Sequence, residues 1–138
     1  MNDPLDNART MWADDPASAA MGMRLEELGP GLAVVSMTVR ADMVNGHGIC
    51  HGGLVAALAD SAFALACNSR GARTVAAGFD VTFLAPAHEG DVLVATASER
   101  ALRGRSGLYD VTVCRGDEAV AEFRGRSRTL RPSAGIVR

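Results

Sequence analysis

From Gly53 to Asn68 the chain reads GLVAALADSAFALACN, an apolar run broken by the single charge of Asp60. A helix of this composition is apolar around most of its circumference and must be buried on most sides. The flanking segments have other rhythms. Leu5, Ala8, Met11 and Trp12 fall on one helical face of the opening segment, with Asp3 as the expected N-cap and Pro4 at the first helical position. Asp15-Pro16 repeats that start signal for a short second helix, which Gly22 ends. The N-terminal helical segment is thus expected over 1–21 and the central helix over 52–69.

Strand patterns fill the rest. The GPG at 29–31 is a turn between a short strand at 23–28 and a longer one at 32–40. In TVAAGFDVTFLAP, Phe79, Val81 and Phe83 share one face, with Asp80 and Thr82 on the other. DVLVATASERAL follows the Glu89-Gly90 turn, GLYDVTVCR sets Tyr109, Val111 and Val113 together, and EAVAEFRGRSRTLR completes the set. Short connections between successive strands favour antiparallel neighbours. One apolar helix needs cover on several faces, and a curved antiparallel sheet wrapped around it provides that. The expected class is α+β, in one domain over 1–138.

Composition narrows the function. The chain has 138 residues, 48% of them hydrophobic, enough for one real core. No run approaches the ~20 apolar residues of a membrane span. The first residues, MNDPLDNART, carry acids and no apolar stretch, unlike a signal peptide, so a cytoplasmic location is expected. Cys50, Cys67 and Cys114 form no CxxC pair, which argues against a disulfide framework or structural zinc. A net charge of −2 gives no basic field for nucleic acid. All 14 basic residues are arginine, a forked donor suited to phosphate.

The candidate chemistry sits at NGHGICHGG, 45–53, and at Asp60. Glycines at 52 and 53 leave the first amides of the central helix bare, and a helix N-terminus favours an anion or a developing oxyanion. Asp60 is the candidate base or nucleophile; the bland alternative is a carboxylate paired with an arginine. Gly52 and Asp60 lie eight residues apart, or ~12 Å along a helix. Each must reach within ~3 Å of one reacting carbonyl or its attacking water. Both serve one carbonyl only if they come from two copies of the helix, so the site is expected at a homodimer interface. His47 and His51 lack a third ligand, so no metal is expected. Cys50 beside His51 reads as a packing residue and Cys67 as core. The RGD at 115–117 reads as a hairpin turn, and Met11 with Trp12 as helix packing.

NGHGICHGGLVAALADSAFALACNS, followed by FDVTFLAPAHEGDVL and SGLYDVTV, resembles the hotdog-fold acyl-CoA thioesterases, in particular their phenylacetate-degradation (PaaI-type) branch. The resemblance runs over nearly the whole chain. It implies a hotdog fold, in which the sheet wraps the long helix, and side-by-side dimers that pair into tetramers. It implies hydrolysis of an acyl-CoA, (hydroxy)phenylacetyl-CoA or another aryl or acyl thioester, to the free acid and CoA without a cofactor. Carried over by motif, the Gly52 amide polarises the thioester carbonyl, Asn45 and His51 shape that pocket, and Asp60 of the partner subunit activates water or attacks directly. Some relatives hold the water with a serine or threonine after the helix; Thr74 and the following VAAGFD leave that role unassigned.

CoA brings phosphates. Two regions are placed to meet them: the glycine-flanked Arg105, Ser106 and Gly107, and the strand face of Arg124, Arg126 and Arg128, with the bare Gly53 amide near the acyl end. Two other functions fit less well. A hotdog hydratase or dehydratase would use His51 with Asp60. A non-catalytic acyl-CoA-binding regulator would carry a basic DNA-binding segment, and the N-terminal stretch is acidic.

Overall fold

A computed structural model describes residues 3–131. The apolar run forms helix α3, Gly52–Cys67, with Val55, Leu58, Ala59, Ala62, Phe63, Leu65 and Ala66 buried. Two short helices precede it, α1 (Asp6–Ala13) and α2 (Pro16–Ala20), then strands β1 (Arg24–Gly29) and β2 (Leu32–Thr38) and a 3-10 turn at Ala41–Met43. Strands β3 (Thr74–Phe83), β4 (Val92–Arg103), β5 (Ser106–Arg115) and β6 (Glu118–Thr129) follow. The six strands form one sheet in the order β1-β2-β4-β5-β6-β3, with every pairing antiparallel. The sheet curls around α3, and the expected helix-and-strand order holds.

The alternation in the strands decides which side meets α3. Along β6, Val120, Ala121, Phe123, Gly125 and Ser127 are buried while Glu122, Arg124, Arg126 and Arg128 are exposed. Phe63 of α3 lies in an aromatic cluster, 5.5 Å from the Tyr109 ring and 5.7 Å from that of Phe123. Small residues let helix and sheet approach. A Cβ placed on Gly125 would meet the Phe63 ring at 2.7 Å.

The C-terminal end of α3 is sutured on every side. Asn68, 3% exposed, donates to the carbonyls of Ala64 (2.9 Å) and Thr74 (3.0 Å) and accepts from the Thr74 amide (2.9 Å) and from Asn7 of α1 (3.0 Å). Ser69 Oγ donates to the Ala66 carbonyl at 2.6 Å and accepts from the Gly31 amide at 2.7 Å. Arg70 then grips Glu99 through two bonds of 3.0 Å, and Glu99 accepts from the buried Tyr109 hydroxyl at 3.3 Å.

Several expected boundaries move. The central helix stops at Cys67 rather than 69, because Asn68 and Ser69 turn their side chains onto the backbone. Helix α1 starts at Asp6, not Pro4: Asp3 accepts from the Leu5 amide through its side chain and from the Asp6 amide through its carbonyl, both at 2.9 Å, and forms a turn ahead of the helix. The second start signal holds, with Asp15 capping the Ser18 amide at 3.0 Å. The strand expected at 32–40 ends at Thr38, two residues short, ahead of the 3-10 turn at Ala41–Met43, whose N-cap position Arg40 occupies. Gly104 and Arg105 alone make the turn between β4 and β5, so Ser106 and Gly107 are strand residues rather than loop.

Gly125→Ala tests the close approach. Its gain in backbone entropy, up to ~1 kcal/mol, is outweighed by overpacking against Phe63 of ~1–3 kcal/mol. The urea midpoint falls with an unchanged slope; an equal or higher midpoint contradicts this packing.

Candidate functional site

The N-terminal end of α3 is the opposite of its sutured C-terminal end. His51 occupies the N-cap position and its side chain makes no cap bond. A Ser, Thr or Asp there would satisfy an amide of the first turn. Instead the His51 carbonyl takes the Leu54 (3.0 Å) and Val55 (3.2 Å) amides, and the Gly52 and Gly53 amides have no acceptor among the described residues. The His51 imidazole is exposed and makes no hydrogen bond among the described residues, so it is the backbone of residue 51 that shapes the helix start.

The loop before α3 is held by Asn45. Its side-chain oxygen accepts from the amides of His47 (2.9 Å) and Ile49 (3.3 Å), and its own amide donates to the Ile49 carbonyl at 2.8 Å. Two backbone donors fix the orientation of the carboxamide and leave Nδ2 as a free donor among the described residues. Cys50 pairs with Val44 in an isolated bridge, and its amide donates to the Ala87 carbonyl at 2.7 Å. Burial pushes the Cys50 thiol up, which keeps it protonated and unsuited to nucleophilic attack. Cys67, in the core, is pushed up to about 12, chiefly by burial.

Asn45, Gly52 and Cys50 line a mainly apolar cavity of about 510 Å³, closed on the far side by Phe83, Ala85 and Ala87. Phe83 lies across the helix start: a Cβ on Gly52 would meet its ring at 2.8 Å, whereas one on Gly53 would meet nothing. Glycine at 52 is therefore a matter of space. Any larger residue displaces the ring that walls the cavity.

Asp60 does not line that cavity. It sits eight residues further along α3, half-buried, with no hydrogen bond or ion pair among the described residues. Burial raises its carboxyl above the ordinary range, and the Asp15 carboxylate adds to the rise. Asp15 is tied in beside it. Ser61 Oγ lies 2.8 Å from Ser18 Oγ, which donates to Asp15 at 2.6 Å, so the Ser61 hydroxyl is the donor in the serine pair.

The arginine candidates separate. Arg124 is locked on Asp110 by bonds of 2.7 and 3.0 Å, and Arg126 on Asp80 at 3.1 Å. Arg128 reaches only the Ser106 hydroxyl, at 3.2 Å. Arg105 is half-buried and has no carboxylate partner among the described residues; burial lowers its pKa, as do the nearby charges of Arg131 and Arg128. A second cavity, about 420 Å³, has Ala77, Ala101 and Leu108 as its apolar lining and Arg103, Arg126 and Arg128 beside them. Gly107, expected in an open loop, is buried. Thr74 is also committed, its hydroxyl donating to the Ala72 carbonyl at 3.0 Å and lying 3.2 Å from Thr129 Oγ1.

Sequence reasoning brought Asn45 and Gly52 to one cavity but missed its far wall. The available signal was FLAPA, an apolar run that leaves a strand at Phe83 and meets Pro86, which the sheet cannot continue. It also missed the Asp15–Ser18–Ser61 relay, whose members are distant in sequence. Among the described residues no helix is long and apolar enough to cross a membrane, and no three His, Cys, Asp or Glu side chains come together as a metal site.

Comparison with known proteins gives consistent matches. The family model described as "Thioesterase superfamily" matches residues 47–122. The acyl-coenzyme A thioesterase PaaI of Escherichia coli K12 is 43% identical over 125 residues, which are 90% of this chain and 89% of that protein. A solved structure of the E. coli PaaI protein, from the phenylacetic acid degradation operon, aligns with a TM-score of 0.90 at 42% identity, covering 94% of each chain. A mutant of the phenylacetic acid degradation protein PaaI from Thermus thermophilus aligns with a TM-score of 0.82 at 42% identity, over 84% of this chain and 100% of that one.

The Asp60 environment predicts a pH-dependent stability. Because folding raises this pKa, the ionised form costs stability above the folded value, and the cost vanishes below the unfolded value of 3.8. Asp60→Asn should melt above the wild type at pH 7, with the gap closing as the pH falls from the raised folded value toward the unfolded value of 3.8. A gap that is absent at pH 7, or constant with pH, contradicts the assignment.

Proposed function

The chain belongs to the thioesterase superfamily, and from that premise we propose that it hydrolyses aryl-acetyl and related acyl-CoA thioesters in the cytoplasm, at two equivalent sites of a homodimer. It is an acyl-CoA thioesterase of the PaaI type with a hotdog fold; the substrate, the residue roles and the assembly are the proposed part. The observation that carries the reading is the Gly52 amide, without an acceptor among the described residues, at the mouth of an apolar cavity, with the equally bare Gly53 amide next to it in the helix.

The acyl group enters the cavity, with its thioester carbonyl oxygen accepting from the Gly52 amide. The positive end of α3 stabilises the charge that develops there. Asn45 offers its Nδ2 to the same region, and the Gly53 amide lies open beside it. Asp60 of the partner subunit takes a proton from water, whose oxygen attacks the carbonyl carbon. The carbon–sulfur bond breaks, CoA leaves as the thiol once protonated, and the acid remains. A raised carboxyl pKa suits a base rather than a leaving group. The nucleotide phosphates are met by Arg105 and Arg128, which have no carboxylate partners among the described residues, with Ser106 and Arg126 beside them.

Two features support the dimer. One helix holds its own amide and carboxylate ~12 Å apart, too far for one carbonyl. Strand β3 is a free sheet edge ten residues long, with Val75, Phe79 and Phe83 and the following Leu84 each at least 41% exposed. Such an edge is an unprotected pairing surface. A second copy covers it, and two dimers pair into a tetramer.

A free-thiol release screen over aryl-acetyl, benzoyl and straight-chain acyl-CoAs, run beside Asp60→Asn, tests this. The wild type should release thiol fastest from the aryl-acetyl thioesters, and the variant should lose ~10²–10⁴-fold in kcat. Wild-type rates in Asp60→Asn sink the mechanism. Loss of a crotonyl double bond without thiol release would instead indicate a hydratase. Mixing inactive Gly52→Ala and Asp60→Asn chains should restore activity in verified mixed dimers; no recovery contradicts the shared site.

A further inference from the structure

The wall of the acyl cavity is held by a residue that does not line it. Phe83 to Ala87 leave the sheet, and their backbone is tied down piecemeal. The Leu84 and Ala85 amides donate to the Val120 carbonyl at 2.9 and 3.3 Å, and the Ala87 carbonyl accepts from Cys50 at 2.7 Å. Pro86, between them, has no amide to donate. Its carbonyl accepts from Arg115 Nη1 at 2.8 Å, and no other hydrogen bond holds it among the described residues.

Arg115 is itself fixed. It ends β5 at the hairpin turn that carries the RGD sequence, its Nη1 also donates to Asp91 at 2.9 Å, and its Nη2 pairs with Glu118. Asp91 anchors the far end of the same segment, accepting from the His88 amide at 2.8 Å through its side chain and from the Val39 amide at 2.8 Å through its carbonyl. Asp91 is held below the ordinary carboxylate range by that His88 amide and by the Arg115 guanidinium. One guanidinium thus bridges the β5–β6 hairpin to the crest of the segment that faces the α3 N-terminus.

We propose that Arg115 is a positioning residue that sets the width of the acyl cavity, and so the choice between bulky and small acyl groups, through its fork on Pro86 and Asp91. The selectivity role rests on the proposed hydrolase reading; the clamp itself does not. Arg115 touches no substrate. It acts by fixing how far the wall stands from Gly52 at the helix start, and pocket selectivity is sensitive to changes the size of one methylene.

Amide hydrogen exchange and acyl-CoA kinetics on Arg115→Met and Arg115→Lys test this together. In Arg115→Met the amides of Leu84, Ala85 and Cys50 should exchange on the order of tenfold faster than in the wild type, while the α3 interior is unchanged. The kcat/KM ratio of an aryl-acetyl-CoA to acetyl-CoA should narrow by about three- to tenfold, mainly through KM, with inhibition by free CoA unaffected. Arg115→Lys keeps the charge and one bond and should fall between. If Arg115→Met does not fold, Asp91→Asn, which loosens the same fork, gives the same readouts. Unchanged exchange overturns the clamp, and faster exchange with unchanged selectivity overturns its role in acyl choice. A wild type that releases no thiol from any acyl-CoA sinks the hydrolase reading instead, and the exchange result still decides the clamp.

Discussion

The structure turns on the unequal ends of one helix. An α-helix leaves its first amides and last carbonyls without intrahelical partners, and a buried helix must satisfy them or use them. At the C-terminal end of α3 the protein satisfies them, with Asn68 and Ser69 tying the helix to α1, β3 and the β1–β2 turn. At the N-terminal end it does not. A histidine stands where a capping side chain is favoured and makes no cap bond, and two glycines follow. The sheet buries the helix between those ends, which sets the bare Gly52 amide at the mouth of an apolar cavity. Preorganised donors of this kind stabilise charge without reorganising during the reaction.

The same economy explains the small residues around the helix. Gly125 and Gly52 are small because the Phe63 and Phe83 rings occupy the space a side chain would need. Phe63 cements the core, whereas Phe83 walls the cavity and remains half in solvent. Asp60 is a half-buried carboxylate in the most apolar segment, without a hydrogen bond or ion pair among the described residues and with the Asp15 carboxylate nearby. Stability alone would favour an amide or an apolar residue at that position.

Much of this was legible in the sequence, and the exceptions share a cause. The α3 run, the Asp15-Pro16 cap and the β6 alternation carry their signals locally, in composition and periodicity, and each appears where expected. Asn45 and Gly52 fall within one stretch of sequence and line one cavity, while Asp60 lies further along the same helix, outside that cavity. What the sequence hid is made by contacts between distant elements. The Phe83–Ala87 wall exists because β3 runs alongside β6 and ends over the start of α3. The Ser18–Ser61 pair exists because α2 folds back onto α3, and the Arg115 fork because a hairpin meets the loop before β4. Arg124 and Arg126 read as free phosphate donors by alternation, yet cross-strand register sets Arg124 opposite Asp110, and Arg126, opposite Gly78, reaches diagonally to Asp80.

The central claim is that the start of α3 polarises a thioester carbonyl. The most direct measurement is the infrared carbonyl stretch of a ¹³C-labelled aryl-acetyl-CoA bound to Asp60→Asn, which should hold the substrate without turning it over. The account predicts a band shifted to lower frequency than in water and a return toward the solution value when Gly52→Ala is added. A band at the solution frequency in both proteins would contradict it.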